Sequence, residues 1–118
     1  MTTTKQIPQE QWQETFDHFT KRHLRDDLPE AVTIEHLSPD LGDQVQVEAV
    51  RLLGISYDPR SDALEVLLPN VDRLVFHPKE LWVVEEEEGF LSSVKIVRAD
   101  ETKEILTIRR RHLPTLKE

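Results

Sequence analysis

Hydrophobic and polar residues change their spacing along this 118-residue chain, and the changes outline its elements. Near the start, Trp12, Phe16 and Phe19 recur at intervals of four and three residues, which places them on one face of a helix. A proline before this stretch and three basic residues at its end suit the two ends of a helix dipole. The pattern predicts an amphipathic helix over about residues 8–24, with an aromatic stripe that packs on a sheet.

Downstream of the helix, apolar positions alternate with polar ones, as in strands that bury one face. Val32 and Ile34 show this alternation first. Between residues 44 and 58 the apolar parity switches near Gly54, which predicts a bulge or a bend. The stretch Asn70–Pro78 fits either a short helical turn or an irregular strand. The predicted strands cover about residues 31–37, 44–53, 63–68, 81–86, 93–99 and 104–110, with a frayed tail at about 113–118.

One helix followed by five or six short strands predicts a single domain over residues 1–118. The short connections favour an α+β fold, in which the N-terminal amphipathic helix packs on an antiparallel meander sheet of five or six strands. A length of 118 residues is typical of one domain. Hydrophobic residues at 37% and charged residues at 32% predict a thin core and a densely charged surface.

The formal net charge of −8 argues against direct binding to nucleic acid or to an anionic membrane. The charge is uneven, with eight basic against nineteen acidic residues in 1–94 and seven against four in 95–118. Such asymmetry can guide a protein partner or self-association. Neither a secretory signal nor an apolar run of membrane-spanning length is visible, so we expect a soluble, cytoplasmic protein.

Several kinds of chemistry are excluded by residue type and spacing. The absence of cysteine excludes disulfides, thiolate zinc sites and cysteine nucleophiles. Gly42, Gly54 and Gly89 are too scattered for a phosphate-binding loop or a dinucleotide fingerprint. His18 and His23 lie five residues apart and diverge around a helix, unlike an i, i+4 metal pair. The sequence therefore predicts no cofactor, metal ligand or catalytic residue, and favours a protein that is not an enzyme.

The run Glu85–Glu88 is the first candidate for an interaction site. Alternation along a strand sends successive side chains to opposite faces, so the four carboxylates cannot converge on one ion. Glu85 and Glu87 share a face, and a functional role requires them to meet a partner from elsewhere in the fold. The simpler interpretation is a solvated strand end, whose charge is balanced across the ladder by Lys95 or Arg98.

The basic run Arg109, Arg110 and Arg111 is the second candidate. These guanidinium groups could clamp an acidic partner or a phosphate. Charged residues beside a sheet edge also discourage the addition of a foreign strand, which needs no binding role.

Tyr57 and the carboxylates near it form the third candidate. Asp58, Asp62 and Glu65 lie close to Tyr57 in the sequence, and a small-ligand or catalytic site would require them to converge in a pocket. The turn-forming residues Pro59–Asp62 instead place the two aspartates at an exposed hairpin tip.

Three functions follow from these candidates. The first is a small non-enzymatic module that binds a protein partner or itself through an open sheet edge or the basic tail. The second is a small-ligand-binding protein or an enzyme that uses the carboxylates near Tyr57. The third is an acidic inhibitor that mimics DNA through the glutamate run, although fifteen basic residues make the surface mixed.

Longer motifs resemble an uncharacterised family of small bacterial proteins known only as a domain of unknown function. The most specific are GISYDP at Gly54–Pro59, with Asp62 and Leu64 after it, and HPxxLxVxE at His77–Glu85. The resemblance covers about Ile7 to Arg110. It implies a stand-alone soluble bacterial domain and supplies no activity, cofactor or catalytic residue.

Overall fold

Two antiparallel sheets and one helix form the fold in the computed structural model, which describes residues 2–24 and 30–110. The helix α1 spans Trp12–His23 and follows a 3-10 turn at Gln9–Gln11. A second 3-10 turn lies at Glu87–Gly89. The strands are β1 (Thr3–Gln6), β2 (Glu30–Ser38), β3 (Gly42–Leu52), β4 (Gly54–Asp58), β5 (Ala63–Leu67), β6 (Arg73–Phe76), β7 (Pro78–Glu85), β8 (Leu91–Arg98) and β9 (Lys103–Arg110).

The larger sheet has six strands in the order β1-β7-β8-β9-β2-β3, and the smaller has three in the order β4-β5-β6. Strands β7, β8 and β9 form a meander, whereas the β2–β3 hairpin lies beside β9 and β1 lies at the other edge. The predicted α+β fold, with a helix on an antiparallel sheet of five or six strands, is confirmed. The strand at 63–68 and the hairpin turn at Pro59–Asp62 were predicted, but their separation into a second sheet was not, because a local pattern does not show which sheet a strand joins.

The helix packs through the predicted aromatic stripe. Trp12, Phe16 and Phe19 are all buried in the core. Trp12 also donates from Nε1 to the carbonyl oxygen of Ile7, 2.7 Å away, which ties β1 to the helix. The α-helix begins at Trp12 rather than near Pro8, because the intervening residues form the 3-10 turn. No helix in residues 2–24 and 30–110 is long and apolar enough to cross a membrane.

The chain leaves the larger sheet at Gly54, where the sequence predicts a bend. β3 ends at Leu52 and β4 begins at Gly54 in the smaller sheet. A Cβ atom at Gly54 would lie 3.0 Å from Cδ1 of Leu67 and 3.4 Å from Cγ2 of Thr20. The glycine thus permits a close approach of α1, β4 and β5.

The stretch 70–78, which fitted a helical turn or a strand, contains β6. β6 pairs with β5, with Ala63 opposite Phe76 and Glu65 opposite Leu74. His77 then adopts a positive φ of 57°, and the chain crosses to β7 in the larger sheet. This sharp reversal after Phe76 keeps β6 only four residues long.

Apolar side chains from both sheets and α1 share one core, and a charged cluster lies beside it. Glu104 on β9 is only 1% exposed. Arg73 on β6 donates to both of its carboxylate oxygens, at 2.9 Å from Nε and 3.0 Å from Nη2. His36 Nδ1 on β2 lies 2.5 Å from Glu104 Oε2. A buried carboxylate needs such partners because its desolvation is costly, so this cluster fixes β6 against β9.

We expect Glu104→Gln to lower the free energy of unfolding by about 3 kcal/mol, because Arg73 and His36 lose a charged acceptor while remaining packed. Urea denaturation of both proteins measures the difference. The matched control is Glu101→Gln, since Glu101 is exposed and lies 3.4 Å from Lys79. The control should change stability little, and equal effects of the two substitutions would contradict the assigned role of Glu104.

Candidate functional site

The glutamate run begins with two residues that have partners in the fold. Glu85, the last residue of β7, pairs through Oε1 with Lys5 Nζ of β1 at 2.7 Å. Glu86 Oε2 accepts a hydrogen bond from Ser92 Oγ at 2.7 Å. The partner of Glu85 is thus on β1, a strand absent from the sequence prediction, rather than Lys95 or Arg98. Lys95 Nζ instead lies 5.8 Å from the ring centroid of Trp82.

The second half of the run forms a chain reversal. Glu87–Gly89 is the second 3-10 turn, and Glu88 and Gly89 adopt positive φ values of 63° and 79°. The amide of Glu86 donates to the carbonyl oxygen of Phe90 at 2.6 Å, which closes the turn. This geometry separates the glutamates, since Glu87 and Glu88 are exposed in the turn while Glu85 remains on the strand.

An open groove of about 320 Å³ lies between α1 and the strands β1, β7 and β8. Its apolar floor is formed by core side chains, and charged and polar groups surround it. Because Glu85 and Lys5 at this rim neutralise each other, the groove presents a mixed surface rather than a charged one. It is lined by Lys5, Ile7, Gln11, Glu14, Thr15, His18, Phe19, Val83, Glu85, Gly89 and Leu91.

The glutamate run and the basic tail meet at the end of α1, around the buried His23. His23 Nε2 lies 3.0 Å from the carbonyl oxygen of Glu88, and Nδ1 lies 3.5 Å from Arg110 Nη2. A carbonyl only accepts and a guanidinium only donates, so this geometry fits a neutral imidazole protonated at Nε2. The Phe19 and Phe90 rings each lie 5.5 Å from the imidazole, and the Arg110 guanidinium lies 4.3 Å from the Phe90 centroid.

Burial lowers the pKa of His23 below its ordinary value of 6.5. The hydrogen bond with Glu88 opposes this shift, and the positive charge of Arg110 adds to it. Both main causes of the lowering act against the imidazolium, because that form would be desolvated and repelled by a guanidinium.

The remaining basic residues are less constrained. Arg109 is exposed and lies opposite Ala31 in the β2–β9 ladder. Arg110 follows it and is held by the aromatic contact described above. Arg111 lies outside the described residues, and so does the predicted frayed tail at about 113–118. The three arginines therefore cannot be treated as one cluster, since Arg110 is already occupied within the fold.

Tyr57 is buried and points into the fold. Its ring packs edge-on against Trp12 at 5.1 Å, and its hydroxyl donates to Asp62 Oδ1 at 2.7 Å. Burial raises the pKa of Tyr57, and the hydrogen bond to Asp62 adds to the increase. Asp62 Oδ2 in turn lies 3.4 Å from His77 Nδ1. This contact joins the two motifs of the family resemblance, since Asp62 follows GISYDP and His77 begins HPxxLxVxE. Apart from the His-Pro motif, no feature of the sequence indicated this contact.

The other two carboxylates near Tyr57 do not join this contact. Asp58 accepts from the amide of Arg60 at 2.9 Å and so stabilises the β4–β5 turn. Glu65 lies beside the carboxyl group of Asp72 instead, and interaction with this acidic neighbour raises the pKa of Glu65, with burial as the second cause. Within the described part of the chain, no group of three or more His, Cys, Asp or Glu residues is placed to hold a metal ion.

An exposed apolar surface on the smaller sheet was missed by the sequence analysis. Leu74 and Phe76 on β6 are 49% and 44% exposed, and Val75 between them is buried. Val71 before β6 and Leu53 before β4 are also exposed. The segment RLVF has three consecutive apolar residues, so its sequence does not show which of them face the core and which are exposed.

Comparisons with known proteins agree with the resemblance seen in the sequence. The model of a family of unknown function, DUF5335, matches residues 3–116. An uncharacterized protein of Aquifex aeolicus (strain VF5) is 42% identical over 108 residues, which cover 90% of this chain and 92% of that protein. No solved structure matches.

The lowered pKa of His23 predicts a pH dependence of stability. The unfolded chain takes up a proton near pH 6.5, whereas the folded chain does so only at lower pH. The free energy of unfolding is therefore highest above this value and falls as the pH decreases toward the lowered folded pKa. We expect His23→Gln, which cannot titrate, to lose less stability than the natural protein on acidification.

Urea denaturation at about pH 7.5 and about pH 5.5 measures this difference. His18→Gln is the matched control, because His18 lies on the same helix and is exposed. The control should follow the natural protein at both pH values. An unchanged acid sensitivity in His23→Gln would show that burial of His23 does not cause it.

Proposed function

We propose that this chain, which belongs to the DUF5335 family of unknown function, is a non-enzymatic module that binds a protein partner or a second copy of itself. The binding surface is the free edge of the smaller sheet at β6. The observation that supports this proposal is the pair Leu74 and Phe76, two large apolar side chains about half exposed on an edge strand. We also propose a cytoplasmic location.

The backbone of β6 has polar groups that face away from its sheet. The amide of His77 donates to Asp62, and the amide of Leu53 donates to Leu67 on the opposite side of β5, both at 2.9 Å. Hydrogen-bonding direction alternates along antiparallel strands. Because the amide of His77 points toward β5, the backbone groups of Val75 and Arg73 also point toward β5. The N–H and C=O groups of Leu74 and Phe76 therefore point outward, and the Leu53 contact on the other side of β5 agrees with this assignment. An added strand could pair with these groups while its side chains contact the two apolar residues.

The other sheet edges in the described part of the chain carry features that hinder strand addition. β1 is short and polar, and its Lys5 is charged. β3 contains register shifts and a positive φ of 52° at Ala49, which disrupt a regular ladder. On β4, the Thr20 hydroxyl bonds both the amide and the carbonyl of Ile55, at 3.1 and 2.9 Å. β6 has neither a bulge nor such a cap, and its outward-facing side chains are uncharged.

The placement of the carboxylates favours this function over a ligand site near Tyr57. The Tyr57 hydroxyl donates to Asp62, Asp58 accepts from the amide of Arg60, and Glu65 lies on the other face of β5. A catalytic or ligand site would need these polar groups to converge on a substrate, whereas the three carboxylates point to different places.

We expect association of the natural protein to increase with protein concentration and to persist or strengthen with salt. The contact is apolar, and salt screens the repulsion between chains of formal charge −8. Leu74→Lys should abolish it, because pairing would bury a charge at the edge. Sedimentation velocity of the protein alone measures self-association. Pull-down from a cell extract with the same variants measures binding of a different protein partner.

The matched control is Val45→Lys, because Val45 is 56% exposed on the β3 edge and the same residue is introduced there. It should leave binding unchanged. Binding that is equal in both variants would contradict the role of β6. Association that weakens steeply with salt would instead indicate an electrostatic contact, such as one through the basic tail.

A further inference from the structure

We infer that the partner at β6 is a second copy of this chain, and that two β6 strands pair antiparallel about a two-fold axis at Val75. This inference rests on the function proposed above and specifies its partner and register. Pairing of this kind would join two three-stranded sheets into one continuous sheet.

The register follows from which backbone groups face outward. Only residues with outward N–H and C=O groups can form hydrogen-bonded pairs across the new edge, and in β6 these are Leu74 and Phe76. Placing Leu74 opposite Phe76 of the second copy makes two symmetry-related pairs, each exchanging two hydrogen bonds. Placing Phe76 opposite itself would bring Leu74 against Pro78, which has no N–H to donate. The Leu74–Phe76 register therefore forms more bonds.

The side chains in this register complement themselves. Leu74 and Phe76 lie on the same face of β6, two residues apart, so each contacts the other residue of the second copy. Cross-strand pairs of an aromatic and an aliphatic residue stabilise antiparallel sheets by about 0.2–1 kcal/mol each. An interface built on a two-fold axis requires such self-complementarity, since the same surface serves both copies.

Charges at the two ends of β6 favour the antiparallel direction. Asp72 precedes the strand and Lys79 follows it, while Arg73 at the start of the strand is already paired with Glu104. Antiparallel pairing brings Asp72 of one copy toward Lys79 of the other, whereas parallel pairing would place each of these charges near its own counterpart. Exposed charges contribute little free energy, so they select the direction more than they add affinity.

The small size of the surface predicts weak association. Stable protein interfaces bury about 800 Å² on each partner, which one four-residue strand and its two apolar side chains do not approach. We therefore expect a dimer in rapid exchange with the monomer, populated at high protein concentration.

Disulfide trapping tests this register, and the chain has no cysteine of its own to interfere. Leu74→Cys and Phe76→Cys are prepared separately and then mixed under mild oxidation. Residues in a hydrogen-bonded antiparallel pair lie about 5.5 Å apart at Cα, a distance that a disulfide spans. We expect covalent dimers several-fold faster in the mixture than in either variant alone. Val45→Cys gives the rate of random collision, and circular dichroism checks that each variant is folded.

The results distinguish an error in the proposed register from an error in the proposed function. If Leu74→Cys alone crosslinks as fast as the mixture, the register is wrong, although association through β6 would stand. If no sample exceeds the Val45→Cys rate, self-association through β6 is overturned. In that case, partner capture that Leu74→Lys abolishes would still support an interaction module with a different protein partner.

Discussion

The contact between Glu104 and Arg73 ties the smaller sheet to the larger one at a buried position. A carboxylate that is 1% exposed requires strong hydrogen bonds, and the bidentate guanidinium provides two of them. Because Arg73 must point toward β9, the alternation of β6 directs Val75 to the same side and sends Leu74 and Phe76 outward. The buried ion pair thus acts together with the shared core to hold β6 against β9, and the same orientation of the strand leaves Leu74 and Phe76 exposed.

The sequence was most informative where structure depends on neighbouring residues. The aromatic spacing identified α1, and the parity switch near Gly54 marked the point where the chain changes sheets. Pairings between distant segments were not predictable in this way. β1 has no apolar pattern, because all four of its residues are exposed, and it forms only by pairing with β7. The strand at 63–68 was predicted, but its place in a smaller sheet with β4 and β6 was not, since strands of four or five residues do not reveal which sheet they join.

The candidate residues show the same division between local and long-range information. The four glutamates are separated, but by the 3-10 turn at Glu87–Gly89 rather than by strand alternation, so Glu85 and Glu87 do not share a strand face. The partner of Glu85 is Lys5, eighty positions earlier. The contact between Arg110 and His23 joins the tail to the helix, and no sequence spacing indicates it. Tyr57 and Asp62 do meet, as a site near Tyr57 would require, yet Glu65 lies on the other face of β5. Sequence proximity within a hairpin therefore overstates how many side chains can converge.

The edges of the two sheets provide the clearest physical basis for choosing among the proposed functions. Proteins protect free strands because unpaired backbone groups beside apolar side chains promote association. Here Lys5, the irregular β3 backbone and the Thr20 hydroxyl act at three edges, whereas the outward side chains of β6 are Leu74 and Phe76. A protein of formal charge −8 has ample charged residues for such a position. Their absence from the outward face of β6 is the observation on which the proposed binding function rests.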